Sequence, residues 1–386
     1  MHIPLCQTYF DESEFQLVQD ALQSGWVTHG PYNTQFEAQF CQLLGVPHAI
    51  SLNSCTAALF LALLAHDIRG EVILPAFTFV ASANAVVTAG ATPVLADIDP
   101  RTGTLAVDAI KAKITPRTEA LMVVHFAGQT AAMDALASLA ETHRLLLIED
   151  SAETLNATFN GKQAGSFGVG CFSFFPTKNI TTGEGGMLTT HDDHLAARVR
   201  ALMAHGIPRI THERQQDTRP WFRDALYAGY NFRLSNILAA LGTAQMKKLA
   251  EITQKRQQHA HQLSALLQPL AQDGFLTLPY TQPQATHAFQ MYTLQLTHAK
   301  GRDELVTYLK QQGIEASVHF QPPVHQHRYY QDYYRAKPAY YTSDLDQTEN
   351  LSACILTLPM YPGLNSAQLT YMADALHAYF KRTPIV

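Results

Sequence analysis

The segment Ser173-Phe-Phe-Pro-Thr-Lys178-Asn-Ile-Thr-Thr-Gly-Glu-Gly-Gly186 places one lysine after an apolar run and before a glycine-rich turn. An amine at a strand end in apolar surroundings loses solvation, which disfavours its charged form and frees it to act as a nucleophile. That is the requirement for a Schiff-base lysine. A solvated surface lysine in a turn is the ordinary alternative. In Leu145-Leu-Leu-Ile-Glu-Asp150-Ser-Ala-Glu153 a buried-strand pattern ends in acids, so Asp150 emerges at the carboxyl end of a strand. Ligands of open α/β sheets bind at that edge. An aspartate there can keep a pyridinium nitrogen protonated, the arrangement by which pyridoxal phosphate (PLP) becomes an electron sink; it can equally be a helix N-cap. The third piece, Ser51-Leu-Asn-Ser-Cys55-Thr56-Ala-Ala, sets small polar residues before a strongly apolar helix, whose first N–H groups suit a phosphate. Capping alone explains one Ser or Thr, though not the whole polar run.

The elements that must position these residues alternate along the chain. His48–Leu52, Glu71–Leu74, Pro93–Asp97, Ala120–Val124 and Leu145–Ile148 read as strands. Thr56–His66, Ser82–Ala89 and Ala131–His143 read as helices between them. Such alternation predicts an α/β fold with a mostly parallel sheet covered on both faces. The runs CFSFF and GGMLTT predict two further strands, and Asn236–Leu270 a long amphipathic helix leading to a second part. There MYTLQL and ILTLP read as strands and Arg302–Gln312 as a helix. The expected division is a large cofactor-binding domain over 1–245 and a smaller C-terminal α+β domain over 246–386.

Composition excludes several classes of function. Lys+Arg 27 against Asp+Glu 32 gives a formal net charge of −5, with no basic excess to hold a nucleic-acid backbone. The most apolar stretch, Thr56–Ala65, falls short of the ~20 residues that span a bilayer, and the N-terminus lacks a signal-peptide pattern. Five scattered cysteines and no CxxC argue against disulfides and structural zinc. The closest histidine pairs, His259/His261 and His325/His327, stand two apart and do not share a helix face, so no metal is expected. The chain reads as cytoplasmic. Its charged fraction of 15% is below the roughly 25% of soluble proteins, which suits a surface buried against a partner subunit. No GxGxxG follows the early strands, which disfavours a dinucleotide-binding dehydrogenase.

Taken in order, SGWVTHGPY, NSCTAAL, PAFTFVASANAV, GATPVLADID, IEDSAE, FSFFPTKNITTGEGGM, GYNFRLSNILAALGTAQ, VHFQPPVH and LTLPMYPGL resemble the DegT/StrS family of PLP-dependent sugar aminotransferases, nearly end to end. The resemblance implies the type I, aspartate-aminotransferase-like fold, a homodimer, and PLP alternating with pyridoxamine phosphate. It implies that Lys178 forms the Schiff base and relays the proton, and that Asp150 pairs with the pyridine nitrogen. Phe79 is expected to stack on the cofactor. Cys55, Thr56 and Ser173 would hold its phosphate, with Asn231 reaching in from the neighbouring subunit. Trp26, Thr28, His29, Arg233, His319 and His325 are the expected substrate contacts, and Arg233 could as well brace the dimer. Glu153 departs from the Gln or His of many members and is similar to perosamine-synthase-like ones. His319-Phe320 replaces the usual His-Tyr pair, and Gln290 stands near a position where histidine is common. The implied reaction moves an amino group, from L-glutamate, to a nucleotide-linked keto sugar of the 4-keto-6-deoxy type for polysaccharide or glycoside synthesis. A 3-keto acceptor and a sugar dehydratase of the same fold are the alternatives, the dehydratase disfavoured by Lys178.

Overall fold

The computed structural model describes residues 1–208, 219, 221–299 and 301–382. The chain opens with two helices, α1 (Glu12–Gln23) and α2 (Pro31–Leu44). Asp11 starts α1 through a capping box: its Oδ1 accepts the Ser13 amide at 2.8 Å, while Glu14 Oε2 accepts the Asp11 amide at 2.7 Å. Then come β1 (His48–Leu52), α3 (Cys55–Ala65), β2 (Glu71–Pro75), α4 (Val80–Thr88), β3 (Thr92–Ala96), α5 (Val107–Lys111), β4 (Thr118–Val124), α6 (Met133–His143), β5 (Leu146–Asp150), β6 (Val169–Ser173), β7 (Gly186–Thr190) and α7 (Asp193–Leu202). These strands form one seven-stranded sheet in the order β1-β7-β6-β5-β4-β2-β3. β6, β5, β4, β2 and β3 are parallel, whereas β7 runs antiparallel to both β1 and β6. The alternation expected from sequence is present, with β7 as the reversed strand.

Both faces of the sheet are covered, so its strands are buried almost throughout. α3 is apolar on every side because it lies between the sheet and α4 and α7, in a core that includes Ile50, Leu74, Met122, Ile148 and Leu188. Met133, Leu136 and Leu139 of α6 pack on the other face with Ile73, Leu121 and Val123. A phenylalanine cluster of Phe36, Phe40, Phe172 and Phe174 joins α2 to β6, with ring centroids 5.0–5.5 Å apart.

A helix of 37 residues, α8 (Asn236–Gln272), leads from this layer to the second. Ser235 caps it, its Oγ accepting the Leu238 amide at 3.3 Å. After α8 the chain forms β8 (Leu276–Thr277), β9 (Tyr292–Leu296), α9 (Arg302–Gln311), α10 (Arg328–Ala336), α11 (Asp346–Cys354), β10 (Ile355–Leu358) and α12 (Ser366–Arg382), of which α10 packs back on the first layer. β8, β9 and β10 make an antiparallel sheet, packed by Leu263 and Leu267 of α8 and Leu369, Met372 and Leu376 of α12.

The division at 245/246 falls inside α8, and the chain crosses it in both directions. Ile3 lies in the second core, its N–H donating to Gly313 O at 2.8 Å. Val324, Tyr330, Tyr334 and Leu345 return to the first core, where the Tyr330 hydroxyl bonds Asn84 Oδ1 at 2.9 Å.

Candidate active site

The parallel strands β4, β5 and β6 end together, with Val124 and Cys171 both in register with Asp150. Their carboxyl edge, the N-terminus of α3 and the second layer enclose a cavity of about 390 Å³. Asp150 is buried in its wall. Ser82 Oγ donates to its Oδ2 at 2.7 Å and the Ala152 amide to its Oδ1 at 3.2 Å, while Cys55 Sγ lies 3.9 Å from Oδ1. Burial pushes the Asp150 carboxyl above its usual range, more than the Ser82 and Ala152 hydrogen bonds and Lys178 pull it down.

Lys178 stands in the turn after β6, its amide bonded to Phe175 O at 2.9 Å. Its Nζ lies 3.4 Å from Glu153 Oε1, and Glu153 Oε2 accepts the Ala127 amide at 3.0 Å. A carboxylate in this wall therefore has both a cation and a backbone donor beside it. At the head of α3, Ser54 Oγ accepts the Ala57 amide at 3.1 Å, and Cys55, Thr56 and Ser173 line the cavity. The first amides of a helix have no intrahelical acceptor, so this end is electropositive. Gly186 makes the approach possible: a Cβ there would sit 2.3–2.5 Å from Ser54 C and O and Cys55 N. Burial holds the Cys55 thiol well above its usual range, hence protonated.

Phe79, the N-cap of α4, and Phe320 form the facing wall, their ring centroids 6.2 Å apart. Phe320 also packs on Phe77 and Phe126. His319 lines the cavity with its Nδ1 2.9 Å from Thr357 Oγ1. Burial, the largest influence, pushes this imidazole below its usual range, with Glu153 opposing.

The structure thus brings Cys55, Thr56, Phe79, Asp150, Glu153, Ser173, Lys178 and His319 to one cavity. Six expected site residues stand outside it in this chain. Trp26 Nε1 donates to His29 O at 3.0 Å, and Asn236 ties the O atoms of Trp26 and Thr28 to the start of α8. His29 is buried, its Nε2 3.8 Å from Glu37 Oε1. Arg233 Nε donates to Asn231 Oδ1 at 3.1 Å. His325 Nε2 meets Glu349 Oε1 at 2.9 Å. Sequence reasoning did not find Ser82, which holds Asp150; its signal was a serine in the first turn of the apolar helix after PAFTF. Nor did it find His125, Met291, Thr357 and Met360, which line the cavity from segments far apart in the chain.

A lysine amine, a buried strand-end carboxylate, an electropositive helix end and an aromatic wall fit a pyridoxal phosphate: covalent attachment, ring-nitrogen partner, phosphate seat and ring face. Together with the fold they define a type I aminotransferase. The chain belongs to the DegT/DnrJ/EryC1/StrS aminotransferase family, whose profile matches residues 8–377. It is 38% identical to the spore coat polysaccharide biosynthesis protein SpsC of Bacillus subtilis, covering 98% of this chain and 97% of that one. It is 35% identical to the UDP-4-amino-4-deoxy-L-arabinose–oxoglutarate aminotransferase of Shewanella sediminis, covering 97% of each. The solved structure of NtdA from Bacillus subtilis, with bound cofactor pyridoxamine phosphate, superposes with a TM-score of 0.84 at 26% identity, covering 96% of this chain and 82% of that one.

Proposed function

We propose that the chain is a PLP-dependent aminotransferase that moves the amino group of L-glutamate to a nucleotide-linked 4-keto-6-deoxy sugar, in the cytoplasm, for polysaccharide or glycoside synthesis. The observation that carries this reading is the meeting of Lys178 and buried Asp150 in one cavity at the strand ends. Membership of the aminotransferase family supports the reaction. The name of the Shewanella relative supports oxoglutarate as the co-product and C4 as the aminated carbon, and that of SpsC supports a polysaccharide destination. Glu153, which resembles the residue that perosamine-synthase-like members carry at this position, supports a 6-deoxy acceptor.

PLP, when bound, supplies an electron sink for the pair left when a C–H bond at the reacting carbon is broken. Lys178 Nζ is the group that would attach, and in each half of the cycle it would take a proton from one carbon and give it to another: from the donor's α-carbon to C4′ of the cofactor, then from C4′ to the sugar carbon. Asp150 keeps the ring nitrogen protonated. Cys55, Thr56 and Ser173 seat the phosphate, and Phe79 and Phe320 keep water from the reacting face. We assign His319 to the sugar or its nucleotide. Asn231, Arg233, Trp26, Thr28, His29 and His325 are assigned to the site as a homodimer completes it, with Asn231 reaching the phosphate in the neighbouring subunit.

The test is an absorbance spectrum of the purified protein with PLP, taken before and after L-glutamate. The visible band should bleach with glutamate and return with one member of a panel of 4-keto and 3-keto sugar nucleotides on UDP, GDP and dTDP. A band restored only by a 3-keto sugar would move the assignment to C3. No visible band with PLP would sink the enzyme reading.

A further inference from the structure

Glu153 is fixed beside Lys178 by its surroundings. The Ala127 amide that donates to Glu153 Oε2 belongs to a turn in which Ala127 has a φ of 57°. The next residue, Gly128, has a φ of +108° and a Cβ position only 2.6–2.7 Å from the amides of Gln290 and Phe289. The turn is therefore wedged against the approach to β9 and can neither rotate nor carry a side chain there. Glu153 Oε1 is left facing Nζ at 3.4 Å, with the two side chains only 10% and 16% exposed. Among the described residues, Asp150, His319 and Cys55 also lie within electrostatic reach of Lys178. Asp150 is held by Ser82 and Ala152, and His319 by Thr357. Burial keeps Cys55 protonated and disfavours the His319 cation. Glu153 is thus the carboxylate that meets the lysine directly.

We propose that Glu153 is the charge partner of Lys178 whenever Nζ is free, receiving the ε-ammonium and holding its proton in the cavity until it is passed on. The inference rests on the proton-carrying role given to Lys178 in the proposed reaction. In that step the C–H bond at the donor's α-carbon breaks, an N–H bond forms at Nζ, and the electron pair passes to the cofactor ring. Nζ would then give a proton to C4′ of the cofactor, where that electron pair forms a C–H bond. In the second half it would take a proton from C4′ and give it to the carbon that receives the amino group, with Glu153 unchanged in protonation throughout. The pair has a second consequence. An ammonium held by a carboxylate is not a nucleophile, so Glu153 also slows attachment of Lys178 to PLP and eases its release.

The experiment mixes cofactor-free wild type, Glu153→Gln and Glu153→Asp with PLP at pH 7. Samples are quenched with borohydride at intervals and label on the Lys178 peptide is counted by mass spectrometry, with Lys178→Ala as the blank. Glu153→Gln should attach PLP about tenfold faster than wild type, a neighbouring charge being commonly worth a factor of this order, with Glu153→Asp between. The loaded Glu153→Gln protein should then lose its visible band with L-glutamate about tenfold more slowly. Faster attachment with slower turnover is the signature of a charge partner, because a disturbed pocket would slow both. Attachment of Glu153→Gln at the wild-type rate or below overturns the proposal. Should that variant not fold, Glu153→Asp decides alone: faster attachment than wild type supports the pair and an equal rate overturns it. If glutamate fails to bleach wild type, the aminotransferase reading falls while the attachment rates still report on the pair.

Discussion

Burial raises the Asp150 carboxyl, with Ser82, Ala152 and Lys178 only partly opposing it. An acid whose folded-state value lies above its unfolded one binds protons more readily when folded. Stability is then greatest below the ordinary aspartate value of 3.8 and declines as pH rises from there through the raised value. Asp150→Asn removes that decline, so the cofactor-free variant should have a higher thermal midpoint than wild type at pH 7, and the gap should close on acidification. The same substitution removes the ionic partner of the ring nitrogen and should lower kcat by about 10²-fold or more, read by amino-sugar formation under saturating PLP. Lys178→Ala should make no amino sugar at all; turnover near the wild-type rate would refute the lysine assignment. Ser82→Ala deletes a hydrogen bond to a charged group, an interaction of about 1.5–3 kcal/mol, and should weaken PLP binding about tenfold in an equilibrium titration. Of the residues in these predictions, Lys178 and Asp150 could be picked out from the sequence because Asp150 ends an apolar strand and Lys178 stands between another such strand and a glycine-rich turn. Ser82 could not: it reaches Asp150 across 68 residues, a long-range meeting of α4 and the end of β5 that no local pattern encodes.

The elements differ in the same way in how plainly the sequence announces them. β1 to β6 and α3, α4 and α6 follow from apolar runs alternating with helical ones. The reversal of β7 does not, because a strand's side-chain alternation is the same whichever way it runs. The short β8 also carries no clear periodicity, whereas the tyrosine-rich α10 does: Tyr330 and Tyr334 stand one turn apart and bond Asn84 Oδ1 and Pro93 O at 2.9 and 3.2 Å. β7 matters to the site because its first residue, Gly186, passes under the head of α3. Gly186→Ala would push a methyl into the Ser54–Cys55 peptide. The expected cost is about 1–3 kcal/mol of stability by urea unfolding, together with a loss of PLP affinity that exceeds the effect on the sheet.

At the scale of the whole molecule, the cavity wall depends on one guanidinium. Arg256 of α8 is buried, its Nη1 donating to Phe289 O, Gln290 O and Met360 O at 3.1, 3.1 and 2.7 Å, and burial brings it down to about 10. It fastens the segments before β9 and after β10 to the helix that joins the two layers. Arg256→Met should cost about 2–4 kcal/mol in urea unfolding, by leaving three carbonyls short of a donor.

The last question at this scale is what covers Trp221, Phe222, Leu226, Tyr227 and Tyr230, which are 37–73% exposed in the single chain. They run directly into Asn231, the residue assigned to the neighbouring subunit's site, and aromatic patches of this kind mark association surfaces. A two-fold dimer buries the same patch on both copies and exchanges the same residue in both directions. Lys178→Ala and Asn231→Ala should each be poorly active alone, for different reasons and in different sites. Unfolded together and refolded as an equal mixture, half of the dimers should be mixed, and each mixed dimer should hold one site with Lys178 from one copy and Asn231 from the other. Activity should then recover to about one quarter of wild type, measured against each variant refolded alone. Recovery to no more than the average of the two separate variants would place Asn231 within its own subunit's site or outside the chemistry altogether.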